Sequence, residues 1–200
     1  MTRQYQIQKI TGKPDWNKIE KAPIDQKLWL PCEQISAYAQ LAYDDSRLYV
    51  RLHAEEPTIR SENTGMLDQP CQDSCLEFFF SAAEQDARYI NIELNPSLCI
   101  YFGFGTGRED LMRILLPDGA KTLHAASERT PSGWDVTYEL PFQLLRLFFP
   151  DVAPSGTIRG NFYKCGDLTM QEHYLAWNRV YAERPDFHLP KYFGALIFPE

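Results

Sequence analysis

Polar and apolar residues alternate along this chain in short runs, and turn-forming residues separate the runs. Over residues 88–95, Ile90, Ile92 and Leu94 point one way while Tyr89, Asn91, Glu93 and Asn95 point the other. A period of two is the signature of a strand with two different faces, and it is incompatible with an amphipathic helix. Leu48, Val50, Leu52 and Ala54 alternate in the same way with Arg47, Tyr49, Arg51 and His53, and Asp44-Asp45-Ser46 ties this run to residues 36–43 as a hairpin turn. Leu98, Ile100, Phe102 and Phe104 resume the pattern after Asn95-Pro96-Ser97. Trp134, Val136, Tyr138 and Leu140 do so after Pro131-Ser132-Gly133. Residues 158–164 and 172–177 predict the last pairings. Helix signals are few. Pro141 opens a turn or two over residues 142–147, stopped by Pro150, and Asp15 predicts a cap for another short helix over residues 16–19. An aromatic content of 14%, with eleven Tyr and twelve Phe, favours strands further. The expected fold is all-β: an antiparallel β-sandwich, jelly-roll or immunoglobulin-like, with one or two short helices. Two hundred residues without repeat or linker predict one domain over 1–200.

Charge and cysteine usage narrow the function. Twenty basic against 27 acidic residues leave a net charge of −7, which argues against a nucleic-acid binder that tracks phosphates. No apolar run is long enough to cross a bilayer, and no charged block suggests a membrane-surface patch. The first residues lack an apolar run of signal-peptide type. As written the chain is therefore expected in the cytoplasm, or secreted if a leader was removed. Cys32, Cys71, Cys75, Cys99 and Cys165 are odd in number and form no CxxC pair, as expected of reduced, buried thiols. Oligomeric state is not encoded in any pattern visible here.

Two segments concentrate the chemistry. The C-terminal region places Tyr174, Trp177, Tyr181, Phe187, Tyr192 and Phe193 within about twenty residues, among prolines and beside His188. Part of it belongs to a core, and the looped part offers flat faces of the kind that grip a sugar ring. In residues 72–80, Leu76, Phe78 and Phe80 share one strand face while Cys75, Glu77 and Phe79 share the other. Glu77 among apolar neighbours needs a partner, either a structural donor or a ligand hydroxyl. Glu93 and Asn91 lie on the polar face of the next strand, where an antiparallel pairing can set them opposite Glu77 as a polar floor. Gly103, Gly105 and Gly107 are spaced GxGxG rather than as a dinucleotide fingerprint; they are expected to let the chain turn at a strand end and hold Arg108 near the site. The four histidines are too scattered to read as a zinc site. A structural calcium held by loop carboxylates such as Asp44, Asp45, Asp68 and Asp73 stays open, and no other cofactor is expected. Three function classes follow: sugar binding, a small glycoside hydrolase or lyase using Glu77 with Glu93, and a protein–protein module built on the aromatic loop.

Taken in order, these residues resemble the family 9 carbohydrate-binding modules and their stand-alone, DOMON-like relatives. The marks are Tyr43-Asp44-Asp45 with Leu48-Tyr49-Val50, then Asp73-Ser74-Cys75-Leu76-Glu77-Phe78-Phe79, then Gly133-Trp134-Asp135-Val136 with Glu139-Leu140-Pro141. Trp177, Phe187-His188-Leu189-Pro190 and Phe193-Gly194 close the series. The resemblance runs from about Trp16 to Phe198. It implies a β-sandwich that binds a mono- or oligosaccharide without changing it and that is associated with glycoside hydrolases and polysaccharide catabolism. In that family a sugar is held between two tryptophans. The later tryptophan falls on Phe187 and the earlier on Cys71, which cannot stack; the acidic contact falls on Glu77, and polar contacts fall near Ile90 or Asn91 and near Arg184. The expected sugar-binding residues are thus Phe187 as platform and Glu77 as hydroxyl acceptor, with Trp177, Asn91, Glu93, Arg108 and His188 on the rim. No catalytic residue is expected on this reading.

Overall fold

In the computed structural model, residues 2–82 and 86–199 are described. Four short strands, β1 (Gln4–Gln6), β2 (Gln8–Lys9), β3 (Ala22–Pro23) and β4 (Gln26–Lys27), precede a long hairpin of β5 (Ser36–Tyr43) and β6 (Arg47–Glu55). The meander β7 (Cys75–Ser81), β8 (Tyr89–Leu94) and β9 (Ile100–Gly105) follows, then β10 (Met112–Arg113). A second hairpin, β11 (Ala126–Arg129) and β12 (Gly133–Pro141), leads to β13 (Gly156–Cys165), β14 (Tyr174–Ala176) and β15 (Gly194–Phe198). One sheet runs β1-β15-β13-β7-β8-β9-β10, with β14 also on β13 and β4 on β14. The other runs β11-β12-β6-β5-β2, with β3 on β5.

The expected alternating runs fold as strands, except that Leu98 lies in the turn before β9 and the 172–177 run is a strand only over Tyr174–Ala176; the turns are closed as their chemistry predicts. The Asp44 carboxylate accepts hydrogen bonds from the Ser46 backbone N–H at 2.7 Å and from that of Arg47 at 3.0 Å, which fixes the β5–β6 turn. Asn95 does the same after β8, accepting from Ser97 N–H at 3.0 Å and Cys99 N–H at 2.9 Å.

The structure corrects the wholly antiparallel sandwich in one respect. β1 pairs parallel with β15, and β2 pairs parallel with β5. Alternation reports a strand's faces, not the direction of its partner. Here one short N-terminal segment crosses between the sheets, with Ile7 fully buried at the crossing. The short helices also differ. Asp15 closes only a turn, accepting from Asn17 N–H at 3.3 Å, and no helix forms over 16–19. Helix α1 (Gly119–Thr122), capped by Asp118, is one that no sequence signal marked, and α2 (Phe142–Leu145) is a single turn of the predicted 142–147.

The two sheets enclose one core: Leu76, Phe78, Phe80, Ile90, Ile92 and Phe102 meet Leu41, Val50, Leu52, Trp134, Val136 and Leu140. The outer face of the β7–β8 sheet is not left to solvent. Cys75, Phe79, Tyr89, Tyr163 and Cys165 on that face form a second apolar cluster with Phe187 and Phe193 from the connection between β14 and β15. The proline-broken C-terminal run is therefore a cover laid over a sheet. Where the cover stops short, polar residues of the same face reach a cavity.

Candidate functional site

The floor of that cavity is set by strand register. On the outer face, Tyr163 of β13 stands opposite Glu77 of β7, Glu77 opposite Glu93 of β8, and Glu93 opposite Tyr101 of β9. Four strands thus contribute one transverse row, Tyr163-Glu77-Glu93-Tyr101. The adjoining rows hold Cys165 opposite Cys75 on one side, and Phe79 opposite Asn91 opposite Gly103 on the other.

Above Glu77, Glu93 and Tyr101 of this row lies an open cavity of about 290 Å³, walled by Cys71, Asp167, Tyr174, Arg108, Asp186, Phe187 and His188, while Phe187 covers Tyr163. This is near the lower end for small-ligand pockets, roughly 300–1,000 Å³.

Burial governs the electrostatics of the floor. Glu77 and Glu93 are 2% and 6% exposed. Loss of water raises the pKa of each: a bond from the Cys165 thiol opposes the rise at Glu77, and the facing Glu77 charge adds to it at Glu93. Two like groups in register cannot both ionise freely, so they titrate as a pair. Their hydrogen bonds are few. Cys165 Sγ lies 2.9 Å from Glu77 Oε1, and Asn91 Nδ2 donates to Glu93 Oε1 at 2.7 Å. Burial also lifts Asp167. His188 is pushed down to about 4 by burial and by the nearby Arg108 charge, so its imidazole is neutral; its Nδ1 lies 2.8 Å from the Tyr89 hydroxyl. At the rim, Arg108 reaches Asp186 at 3.3 Å.

Of the residues expected from sequence, Glu77, Glu93, Arg108, His188 and Phe187 converge on this cavity. Phe187 is largely covered, at 7% exposure: one face stacks on Tyr163 at 4.1 Å and 11°, with Trp29 at 5.6 Å and Tyr174 edge-on. It offers the cavity a margin rather than a free face. Asn91 stands behind the wall and positions Glu93. Trp177 is a correction. At the bend just after β14, where its backbone N–H donates to the Phe162 carbonyl at 2.9 Å, it packs on the Phe162 ring in the core between the sheets and does not line the cavity. Cys71, at the position of the family's earlier tryptophan, is a wall residue. Ile90 is in the inter-sheet core, and Arg184 is exposed and does not line the cavity.

The glycine run also has a different role. Gly103 and Gly105 lie inside β9, where an added Cβ would meet Asn91 Oδ1 at 1.9 Å and the Asp110 backbone at 2.9 Å; they allow close approach rather than a turn. Of the loop carboxylates, Asp73 accepts from Glu62 N–H, Asn63 N–H and Asn95 Nδ2, and Asp68 accepts from Thr64 and Gly65 N–H. Those oxygens brace loops.

Tyr101, Asp167, Asp186 and Tyr174 were missed from sequence. Tyr101 had a signal, since extending the residue 88–95 pairing across the Asn95 turn sets it opposite Glu93. The others sit in or next to connections, where no periodicity reports position.

Among solved structures, a carbohydrate-binding protein of Bacteroides uniformis, provisionally so described, matches with TM-score 0.82 and 25% identity over 98% of this chain and 99% of that one. A family 9 carbohydrate-binding module of Caldicellulosiruptor kristjanssonii, solved with cellotriose, matches with TM-score 0.70 and 13% identity over 98% and 93% of the two chains. The same organism's family 9 module with glucose matches with TM-score 0.69 and 14% identity over 98% and 95%. No curated protein sequence matches this chain. The family model for carbohydrate-binding family 9 matches residues 10–198, nearly the whole length. The chain belongs to carbohydrate-binding family 9.

Proposed function

We propose that the outer-face cavity binds a single sugar ring or the end of a short oligosaccharide and leaves it chemically unchanged. The observation that carries this reading is the cross-strand pair Glu77–Glu93 forming the floor of a small open cavity flanked by aromatic rings. A buried carboxyl pair that shares protons presents both a donor and an acceptor, which suits the adjacent hydroxyls of a sugar ring. Tyr101 and the margin of Phe187 supply apolar surface for the ring's C–H faces, and Arg108, His188 and Asp186 supply rim polarity. The sugars bound by the family 9 modules of similar fold support the ligand class.

Calorimetry with glucose and cellotriose on the wild type, Glu77→Gln, Tyr101→Ala and Phe187→Ala tests the reading, with calcium and then with chelator. Wild-type binding should weaken about fivefold or more in Tyr101→Ala, one aromatic contact amounting to roughly 1 kcal/mol. Glu77→Gln keeps the shape but loses the shared proton, and should weaken binding further. Silence of the wild type towards neutral, acidic and amino sugars would overturn the proposal.

One feature favours a second reading. Paired carboxyls whose pKa values are raised by burial also suit glycoside hydrolysis. Turnover of aryl glycosides by the wild type, lost in Glu77→Gln, would establish that activity instead.

A further inference from the structure

Beside Glu77 the sheet carries two thiols that sugar binding does not use. Cys75 and Cys165 stand directly opposite each other in the β7–β13 pairing, on the same face as Glu77 two residues along β7. All three are buried, and their ligand atoms, two sulfurs and a carboxylate oxygen, lie within 4.8 Å of one another. We propose that Cys75, Glu77 and Cys165 form a binding site for a thiophilic divalent cation of the zinc type.

The donor set selects the ion. Two sulfurs and one oxygen suit zinc and exclude the hard, all-oxygen preference of calcium or magnesium. The spacing is within reach of a tetrahedral centre. Zinc–sulfur bonds of about 2.3 Å set two sulfurs roughly 3.8 Å apart, which lies inside that 4.8 Å bound. Because all three ligands sit on two hydrogen-bonded strands, their backbone positions are already fixed.

Charge balance points the same way. The basic groups that act on Glu77 are Lys164 and Arg108, and both are committed elsewhere. Lys164 pairs with Glu56 at 3.3 Å, and Arg108 with Asp186 at the rim. No basic side chain among the described residues is thus left to compete for the two sulfurs. They are neutral thiols on their own, because burial raises Cys75, and the contact with Cys75 together with burial raises Cys165. Each yields its proton to solvent as the ion enters, and the ion offsets the charge that forms. Glu77 and Cys165 also line the cavity, so the ion has a route in and its fourth position faces open space. Three protein ligands with one open position is the arrangement of an accessible zinc centre rather than a closed structural one. Chain spacing could not show it, because 90 residues separate the two cysteines.

The test needs no sugar and stands apart from the binding proposal above. The whole chain, kept reduced, is titrated with cobalt(II). One equivalent should produce sulfur-to-cobalt charge-transfer absorption together with the intense visible bands of a tetrahedral ion, and zinc should displace both. Cys75→Ala and Cys165→Ala should each lose at least half of the charge-transfer absorption and the double variant all of it, while Cys99→Ala, a buried thiol elsewhere, should keep it. X-ray absorption on the zinc-loaded wild type requires no variant to fold, and should show two sulfurs at about 2.3 Å with lighter ligands. A wild type without the band, a band at full intensity in both single-cysteine variants, or a shell of only oxygen and nitrogen would each overturn the proposal.

Discussion

Gly103 shows how tightly single residues are fitted around the sugar floor. An added Cβ would overlap Asn91 Oδ1 at 1.9 Å, and Asn91 is the side chain that donates to Glu93. The same Oδ1 is buried without a hydrogen-bond partner among the described residues, so the amide is held by its Nδ2 end alone. Gly103→Ala should therefore destabilise the fold by about 1–3 kcal/mol, the range for overpacking a tight site. It should also weaken sugar binding as Asn91 is driven off Glu93. Adding Asn91→Ala removes the closest clash, leaving the Tyr101 ring edge at 2.8 Å to give way to the new methyl group. The double variant should recover stability relative to Gly103→Ala but not affinity, because Glu93 still lacks its donor. Urea unfolding and calorimetry on the cycle measure both effects, and additive losses of stability would sink the steric account. Glu77 and Glu93 could be read from sequence because a two-residue period is a local property that a hairpin carries across to its neighbour. Trp177 and Phe187 could not be separated that way, since an aromatic in an irregular segment looks alike whether it fills a core or borders a cavity.

At the scale of elements, β13 joins the two halves of its sheet. One edge pairs with β7 over seven residues, while its other edge is shared between β15 and β14. Its inward face carries a charge. Lys164 is fully buried, with its Nζ at 3.3 Å from Glu56 Oε2, 2.7 Å from His173 Nε2 and 2.9 Å from the Cys165 carbonyl. Glu56, just after β6 of the opposite sheet, also accepts from Trp134 Nε1 at 2.6 Å and Ser74 Oγ at 2.9 Å. The cluster is thus a polar tie across the sandwich, satisfied on every side. Lys164→Met should cost about 3–5 kcal/mol, since it strands a buried carboxylate, and Glu56→Gln in the same chain should return part of that loss. Equal unfolding free energies for wild type and Lys164→Met would show that the tie contributes nothing. Alternation revealed the strand around Lys164, but the tie joins residues 108 positions apart and leaves no local trace. The parallel partners of β1 and β2 were hidden for the same reason: faces are local, whereas partners are not.

For the whole molecule, acid brings two sets of buried groups into opposition. His173 is depressed to about 3 by burial and the Lys164 charge, and His188 to about 4 by burial and Arg108. Each contributes stability that is complete above the ordinary value of 6.5 and is lost as pH falls, because the unfolded chain takes up protons the folded chain refuses. Glu77 and Glu93 act in the reverse sense. Burial raises both above the ordinary 4.5, so the folded chain keeps protons that the unfolded chain has released, and the pair favours folding as pH falls towards 4.5. Between about 6.5 and 4.5, two protons gained by the unfolded histidines face two retained by the folded carboxyls, and stability should be nearly flat. Below 4.5 the glutamates no longer distinguish the states. Carboxylates held low in the fold then dominate: Asp44 near 2, where hydrogen bonds from Ser46 and Tyr49 outweigh its burial, and Asp135, where His53 and Arg51 do the same. Stability should fall steeply there. Glu77→Gln with Glu93→Gln removes one side of the balance. The plateau should become a slope beginning near pH 6.5, of about 1.4 kcal/mol per pH unit for each histidine, while the loss above neutrality that comes from ionising the pair disappears. Urea unfolding of both proteins from pH 4 to 8 measures the two curves. If they run parallel, the carboxyl pair does not hold its protons in the folded chain, and the donor–acceptor floor proposed for the sugar loses its physical basis.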